Sequence, residues 1–269
     1  MNFSSKLLGL TCASVIALGM GSVNATDLYH SAGGLKDGPY VAPVPLWTGF
    51  YVGVNGGGSF GASENLRVTN DVDFTQADIG QFFRDGGFGG GQIGYNFSGF
   101  GWGNQVVLGI ETDIQGSGMN SSFDRNDLNY SFAPASFHAS QNIDYFGTVR
   151  GRLGYAFGNA LIYATGGLAY ANVDTKVSIS VPGALGGGFT NALNSNQTET
   201  GWVVGGGVEY LFTPCWSAKV EYQYIDLGSQ TIAGLASDGV IDRMPVDNNF
   251  NTVRAGINYH IPVGYAPLK

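Results

Sequence analysis

The sequence predicts an all-β chain, an eight-stranded antiparallel up-and-down transmembrane β-barrel with four long outer loops. Three observations lead there. From Ile143 to Phe157 the odd positions are Ile143, Tyr145, Gly147, Val149, Gly151, Leu153, Tyr155 and Phe157, against Asp144, Thr148, Arg150 and Arg152 on the even ones. This period of two marks a strand with one apolar face. The opposite face carries charge, as a membrane barrel does with apolar side chains in lipid and polar ones inside. Finally, segments of this kind recur along the chain, joined by connections that alternate between short and long.

Residues 1–25 are expected to be a cleaved signal peptide. Lys6 is its positive start, Leu7–Met20 is an apolar run too short to span a bilayer comfortably, and Val23-Asn24-Ala25 suits cleavage between Ala25 and Thr26. Residues 26–46 hold Gly33-Gly34, Pro39, Pro43 and Pro45 without a period and read as a linker. The barrel is expected over 47–261, followed by a tail at 262–269.

The first strand is expected at Thr48–Phe60, with Phe50, Val52 and Val54 on one parity and Tyr51, Gly53 and Asn55 on the other. The second, Phe88–Phe97, ends on Ile93, Tyr95 and Phe97. In the third, Gln105–Gln115, Val106, Leu108, Ile110 and Ile114 oppose Glu111 and Asp113. Gly158-Asn159 closes a hairpin between the fourth and fifth strands. Trp202, Val204, Val208 and Tyr210 mark the sixth, opposite Glu209; Trp216, Ala218, Val220, Tyr222 and Tyr224 mark the seventh, opposite Lys219 and Glu221. The last strand sets Val253, Ala255, Ile257 and Tyr259 against Arg254 and Asn258. Between them, 64–84, 117–137, 174–198 and 229–248 read as long polar loops, although Leu66–Thr69 could extend a strand into a hairpin. Ser98–Gly103, Gly158-Asn159 and Thr213–Cys215 read as short turns on the periplasmic side.

With the apolar parity in lipid, Glu111, Asp113, Asp144, Arg150, Arg152, Glu209, Lys219, Glu221 and Arg254 are expected to form a barrel-interior charge network. Eight strands make a barrel that side chains can fill, so the network reads first as a polar core and second as the lining of a narrow conductance path.

Composition narrows the function classes. The formal net charge of −8 moves to −9 once Lys6 is lost with the signal, which excludes nucleic acid as an expected partner. Charged residues are only 12% of the chain, with 44 glycines and 13% aromatics. Cys12 lies in the signal, so Cys215 stands alone and no disulfide framework is expected. His30, His138 and His260 lack metal-ligand spacing, and neither a metal nor a cofactor is expected. Gly57–Gly61 matches the nucleophile-elbow pattern and Gly89–Gly94 the GxGxxG pattern, but each needs a following helix, and none is predicted. His138-Ala139-Ser140 is similar to the His-x-Ser pair of outer-membrane lipid A deacylases, without their glutamate nearby. Haem capture by His138 and Tyr130 has no motif behind it. No catalytic residue is assigned.

Leu46-Trp47-Thr48-Gly49-Phe50-Tyr51-Val52-Gly53 and Asn251–Tyr259, with VRGRLGYAF and GWVVGGGVEYLF between them, resemble the Omp25/Omp31-like outer-membrane β-barrel (porin-family) proteins of α-proteobacteria. The resemblance implies a Gram-negative outer-membrane location and a structural, envelope-integrity and surface-interaction role without enzymatic activity. It also implies partners: outer-membrane lipid and lipopolysaccharide, the barrel-assembly machinery, and host or surface ligands on the outer loops. A narrow porin-like channel or a haemin-binding surface receptor are the alternatives. Such chains usually end on an aromatic read by the assembly machinery. Here residues 262–269 continue past the last strand, so Val253, Ile257 and Tyr259 are the candidate internal signal.

Overall fold

The computed structural model describes residues 46–61, 66–70, 76–99, 105–130, 133–182, 188–235 and 241–262. The expected signal peptide with its Ala25–Thr26 junction, the linker up to residue 45 and the tail beyond Pro262 lie outside them.

Among the described residues the strands are β1 (Gly49–Phe60), β2 (Leu66–Asn70), β3 (Gln76–Gly80), β4 (Gly86–Ser98), β5 (Val106–Tyr130), β6 (Ala133–Phe157), β7 (Ala160–Val181), β8 (Phe189–Thr213), β9 (Trp216–Leu235) and β10 (Ile241–His260). Eight of them form an antiparallel ring in the order β1-β4-β5-β6-β7-β8-β9-β10, and β1 pairs back onto β10 from Tyr51↔His260 to Phe60↔Asn251. Closure removes the free edges that lipid could not hydrogen-bond. Two of the tight turns at one end are Gly158-Asn159, where Gly158 takes φ +63°, and Pro214-Cys215, where the Thr213 hydroxyl accepts from Trp216 N at 3.0 Å.

The outer surface carries a lipid-facing belt. Phe50, Ile93, Ile110, Val149, Leu168, Val204, Val220 and Ile257 are all exposed. Trp202, Tyr145 and Tyr222 border it on one side, and Tyr155, Phe157, Phe212 and Trp216 on the other. The span from Trp202 to Phe212 rises about 25 Å at ~3.3 Å per residue and a tilt of ~40°, the height of an outer-membrane apolar band.

The expectation of four long outer loops is corrected. Most of 117–137, 174–198 and 229–248 is strand, in ladders that reach Tyr130↔Ala133, Val181↔Phe189 and Leu235↔Ile241, the first and last of them interrupted by register shifts. Within 64–84, β2 and β3 form a hairpin that pairs onto β10 at Thr69↔Arg243, past the end of β1. The alternation persists in these stretches, but its polarity inverts. Along β7, Ile162, Leu168, Asn172, Asp174, Lys176 and Ser178 face outward, while Tyr163, Thr165, Val173, Val177, Ile179 and Val181 face inward. Above the belt water replaces lipid outside, so polar residues move out and apolar ones move in. Phe82, Phe137, Ile179, Leu193, Met244 and Val246 form a hydrophobic core there, as in a water-soluble barrel.

A second correction concerns Asp144 and Ile143. Asp144 was expected in the lumen and Ile143 in lipid, yet Asp144 is exposed and Ile143 is 3% exposed, inside the barrel. The cause is a bulge: the β6–β7 register shifts between Ile143 and Tyr145. One extra residue swaps the faces of everything beyond it. Ile143→Ala should therefore destabilise the barrel by about 2–4 kcal/mol, and Asp144→Ala by less than about 0.5 kcal/mol. Urea titration of the refolded protein checks the pair; equal effects would contradict this placement.

Candidate functional site

The inside of the membrane-level barrel is a polar core in layers. At the end with the tight turns, Trp47 is 2% exposed and donates from Nε1 to Gly158 O at 3.0 Å. It packs with Val107, Ala156, Leu161, Tyr163 and Leu211 to form an apolar floor.

Above the floor, period two brings charges from five strands onto one lumen. Arg150 of β6 donates to Glu111, to Asp113 at 2.9 Å and to Glu221 at 2.5 Å. Arg254 of β10 reaches Glu221 at 2.7 Å, Asp113 at 3.1 Å and Glu111 at 3.3 Å. Lys219 of β9 donates to both Glu111 oxygens at 2.9 Å. Arg152 pairs with Glu209 of β8 and lies over the Tyr163 ring, 3.7 Å from its centroid. Glu111, Asp113, Glu209 and Glu221 thus balance Arg150, Arg152, Lys219 and Arg254, and all eight are at most 4% exposed. Pairing within a neutral set is what makes such burial tolerable.

Eight of the nine charged residues expected in the lumen meet here, and Asp144 does not. Within the network Arg152 has Glu209 as its close partner, with Glu111 at 4.0 Å. Sequence reasoning passed over the uncharged members. Tyr51 donates to Glu111 at 2.7 Å, Tyr163 to Glu221 at 2.6 Å, and Asn258 to Glu209 at 2.7 Å; Gln92 links Asn55 to Asn258. Tyrosine counts as an aromatic in a lipid-facing pattern, yet Tyr51 and Tyr163 share the lumen parity of their strands, and that parity was the available signal. Glycine makes room for them: a Cβ at Gly94 would lie 2.4 Å from the Tyr51 hydroxyl, and one at Gly207 2.8 Å from that of Tyr163.

Toward the outer side an aromatic layer follows. Phe146 meets Phe88 edge-on at 5.1 Å and Phe250 at 5.6 Å, with Met119, Ile143, Val203 and Ile225 around them. Beyond the belt a second polar layer holds Arg84, Gln141, Glu199 and Asn248, each at most 5% exposed, and the outer hydrophobic core caps it.

The discarded motifs sit in strands. Ser59 lies in β1 and donates to Gly86 O at 3.2 Å, and Gly89–Gly94 runs within β4. His138 Nδ1 is 2.7 Å from Asp124 Oδ1 on the exposed wall above the belt. The candidate assembly residues Val253 and Ile257 face outward on the belt, and Tyr259 meets Trp216 edge-on at 5.1 Å. Among the described residues no helix is long and apolar enough to cross a membrane.

Residues 13–260 match the family model described as an outer membrane protein beta-barrel domain. The chain belongs to this outer-membrane β-barrel family. It is 35% identical over 263 residues to the 31 kDa outer-membrane immunogenic protein of Brucella melitensis, covering 92% of this chain and 97% of that protein. It is 30% identical over 191 residues to the 22 kDa outer membrane protein of Rhizobium leguminosarum, covering 71% and 69% of the two chains. These are the Omp25/Omp31-like relatives that the sequence motifs point to. Among solved structures, the outer membrane protein OprG of Pseudomonas aeruginosa is similar with a TM-score of 0.44 and 10% identity, over 80% of this chain and 97% of that one. The family places the belt in the lipid and lipopolysaccharide of a Gram-negative outer membrane.

Proposed function

We propose that this family member serves as a structural and surface-interaction barrel, without catalytic activity and without a solute path. The observation behind this reading is the stacking of the lumen. The Trp47 floor, the neutral charge network and the Phe88/Phe146/Phe250 layer each cross the barrel interior at a different height. An eight-stranded barrel has room for side chains and little else. The work of the molecule then falls to its two outer surfaces: the belt that anchors it in lipid and the polar wall above it, which meets lipopolysaccharide and external ligands. Recognition of the last strand by the barrel-assembly machinery would use Val253, Ile257 and Tyr259. Planar-bilayer recording on refolded protein tests the proposal. A folded, heat-modifiable protein is expected to give no discrete conductance steps, and steps of defined size would overturn it. Unchanged lipid A mass spectra on overexpression are expected for a non-enzyme; altered acylation that Ser140→Ala abolishes would contradict that part.

A further inference from the structure

The polar layer above the belt has a geometry that neither the surface role nor the charge network requires. Side chains from five elements converge in it: Arg84 from the segment leading into β4, Gln141 of β6, Thr175 of β7, Glu199 of β8 and Asn248 of β10. Arg84 Nη2 donates to Asn248 Oδ1 at 2.6 Å, to Asp247 O at 2.7 Å and to Gln141 Oε1 at 3.1 Å, and Nη1 donates to Asn249 O at 3.0 Å. A register shift between Asp247 and Asn249 interrupts the β10–β9 ladder where these carbonyls accept. Asn248 Nδ2 donates to Glu199 Oε2 at 2.5 Å, and Gln141 Nε2 donates to Thr175 Oγ1 at 3.0 Å. Arg84 also fixes its own segment through its backbone, donating to Gly61 O at 2.9 Å. Two residues earlier, Phe82 is fully buried in the outer core.

We infer that this layer is a clasp: it holds residues 80–86 across the lumen of the outer barrel and loosens as pH rises from the acid side toward neutrality. Glu199 is its proton-sensitive member. It precedes Trp202, at the edge of the belt, by three residues and so stands outside the lipid-embedded part. Burial pushes its carboxyl up to about 7, against the pull of its Asn248 hydrogen bond and of Arg84. The charged groups around it are Arg84 and, acting on Arg84, Asp247 of β10; β6 and β7 bring the uncharged Gln141 and Thr175, and β9 the apolar Ile225 and Leu227. Burial also lowers Arg84, to about 10, so the arginine stays charged across the neutral range.

The sign follows from linkage. In the closed layer Glu199 holds its proton more tightly than it would when solvated, where a glutamate titrates near ~4.3. Below that value both states are protonated and pH has no effect. Between it and about 7 the closed state binds the extra proton, so each rise in pH favours opening. Above about 7 both states are ionised and the change is complete.

Hydrogen–deuterium exchange on the refolded full chain tests the clasp. The exchange rate of a peptide covering 80–86 is compared with that of Glu199→Gln at each pH, which cancels the intrinsic pH dependence of exchange. Glutamine keeps the acceptor for Asn248 and cannot ionise. The wild-type to variant ratio is expected to rise about tenfold or more from about pH 5.5 to about pH 8.5. A constant ratio overturns the inference. If Glu199→Gln does not fold, carboxyl-carbon NMR titration of the wild-type protein decides: a Glu199 midpoint near neutrality supports the clasp, and one below about 5 overturns it.

Discussion

Arg150→Ala is expected to lower the unfolding free energy of the barrel by about 3–5 kcal/mol. Arg150 touches three of the four carboxylates in the lumen: Glu111, Asp113 and Glu221. Its loss leaves four acids against three bases in a space that water barely enters. The effect is not one of lost volume, and a compensating change separates the two. Adding Asp113→Asn to Arg150→Ala restores neutrality and should recover part of the loss. Urea-dependent folding into lipid vesicles, followed by heat-modifiable migration, measures both. A cost below about 1 kcal/mol for the single variant would mean that water solvates the network freely.

The second large effect is on the other face. Val220→Arg should cost about 2–4 kcal/mol, the penalty of a cation near the middle of the lipid-facing band. Val220 is 52% exposed, and in a water-soluble barrel the same change at so open a position would cost almost nothing. Ser178→Arg supplies the contrast. Ser178 also faces outward, but it lies above the Tyr170 level of β7, in the polar wall. Its substitution should shift stability by less than about 0.5 kcal/mol. Equal effects at the two positions would remove the boundary between belt and wall. The same vesicle-folding titration reads both variants.

The membrane half of the barrel was legible because period two and a one-sided apolar face are strong signals in Leu108–Ile114 or Trp216–Tyr224. The upper half was not, although it obeys the same period. In Ser136-Phe137-His138-Ala139-Ser140 the inward residues are Phe137 and Ala139, too few and too small among serines to stand out as a strand. What identifies that stretch is its ladder with β5 and β7, a long-range feature that no local window contains. Asp144 shows a different failure. Period two extrapolates correctly only until a bulge intervenes, and nothing in Asn142–Tyr145 announces one. The ion pairs were legible as a set but not as partners: Arg152 meets Glu209 of β8, two strands away, only because the narrow lumen lets side chains reach past the strand between. Leu161 and Ile162 look interchangeable in sequence, yet one is buried in the Trp47 floor and the other is 55% exposed to lipid.

The charge network also bears on how the barrel is built. Tyr51 and Asn55 tie in β1, Gln92 β4, Glu111 and Asp113 β5, Arg150 and Arg152 β6, Tyr163 β7, Glu209 β8, Lys219 and Glu221 β9, and Arg254 and Asn258 β10. A one-residue slip of any charged strand would turn its ions toward lipid and strand their partners inside. The centre of the molecule therefore discriminates between registers, since only the correctly registered, fully closed ring buries its charges as a neutral set.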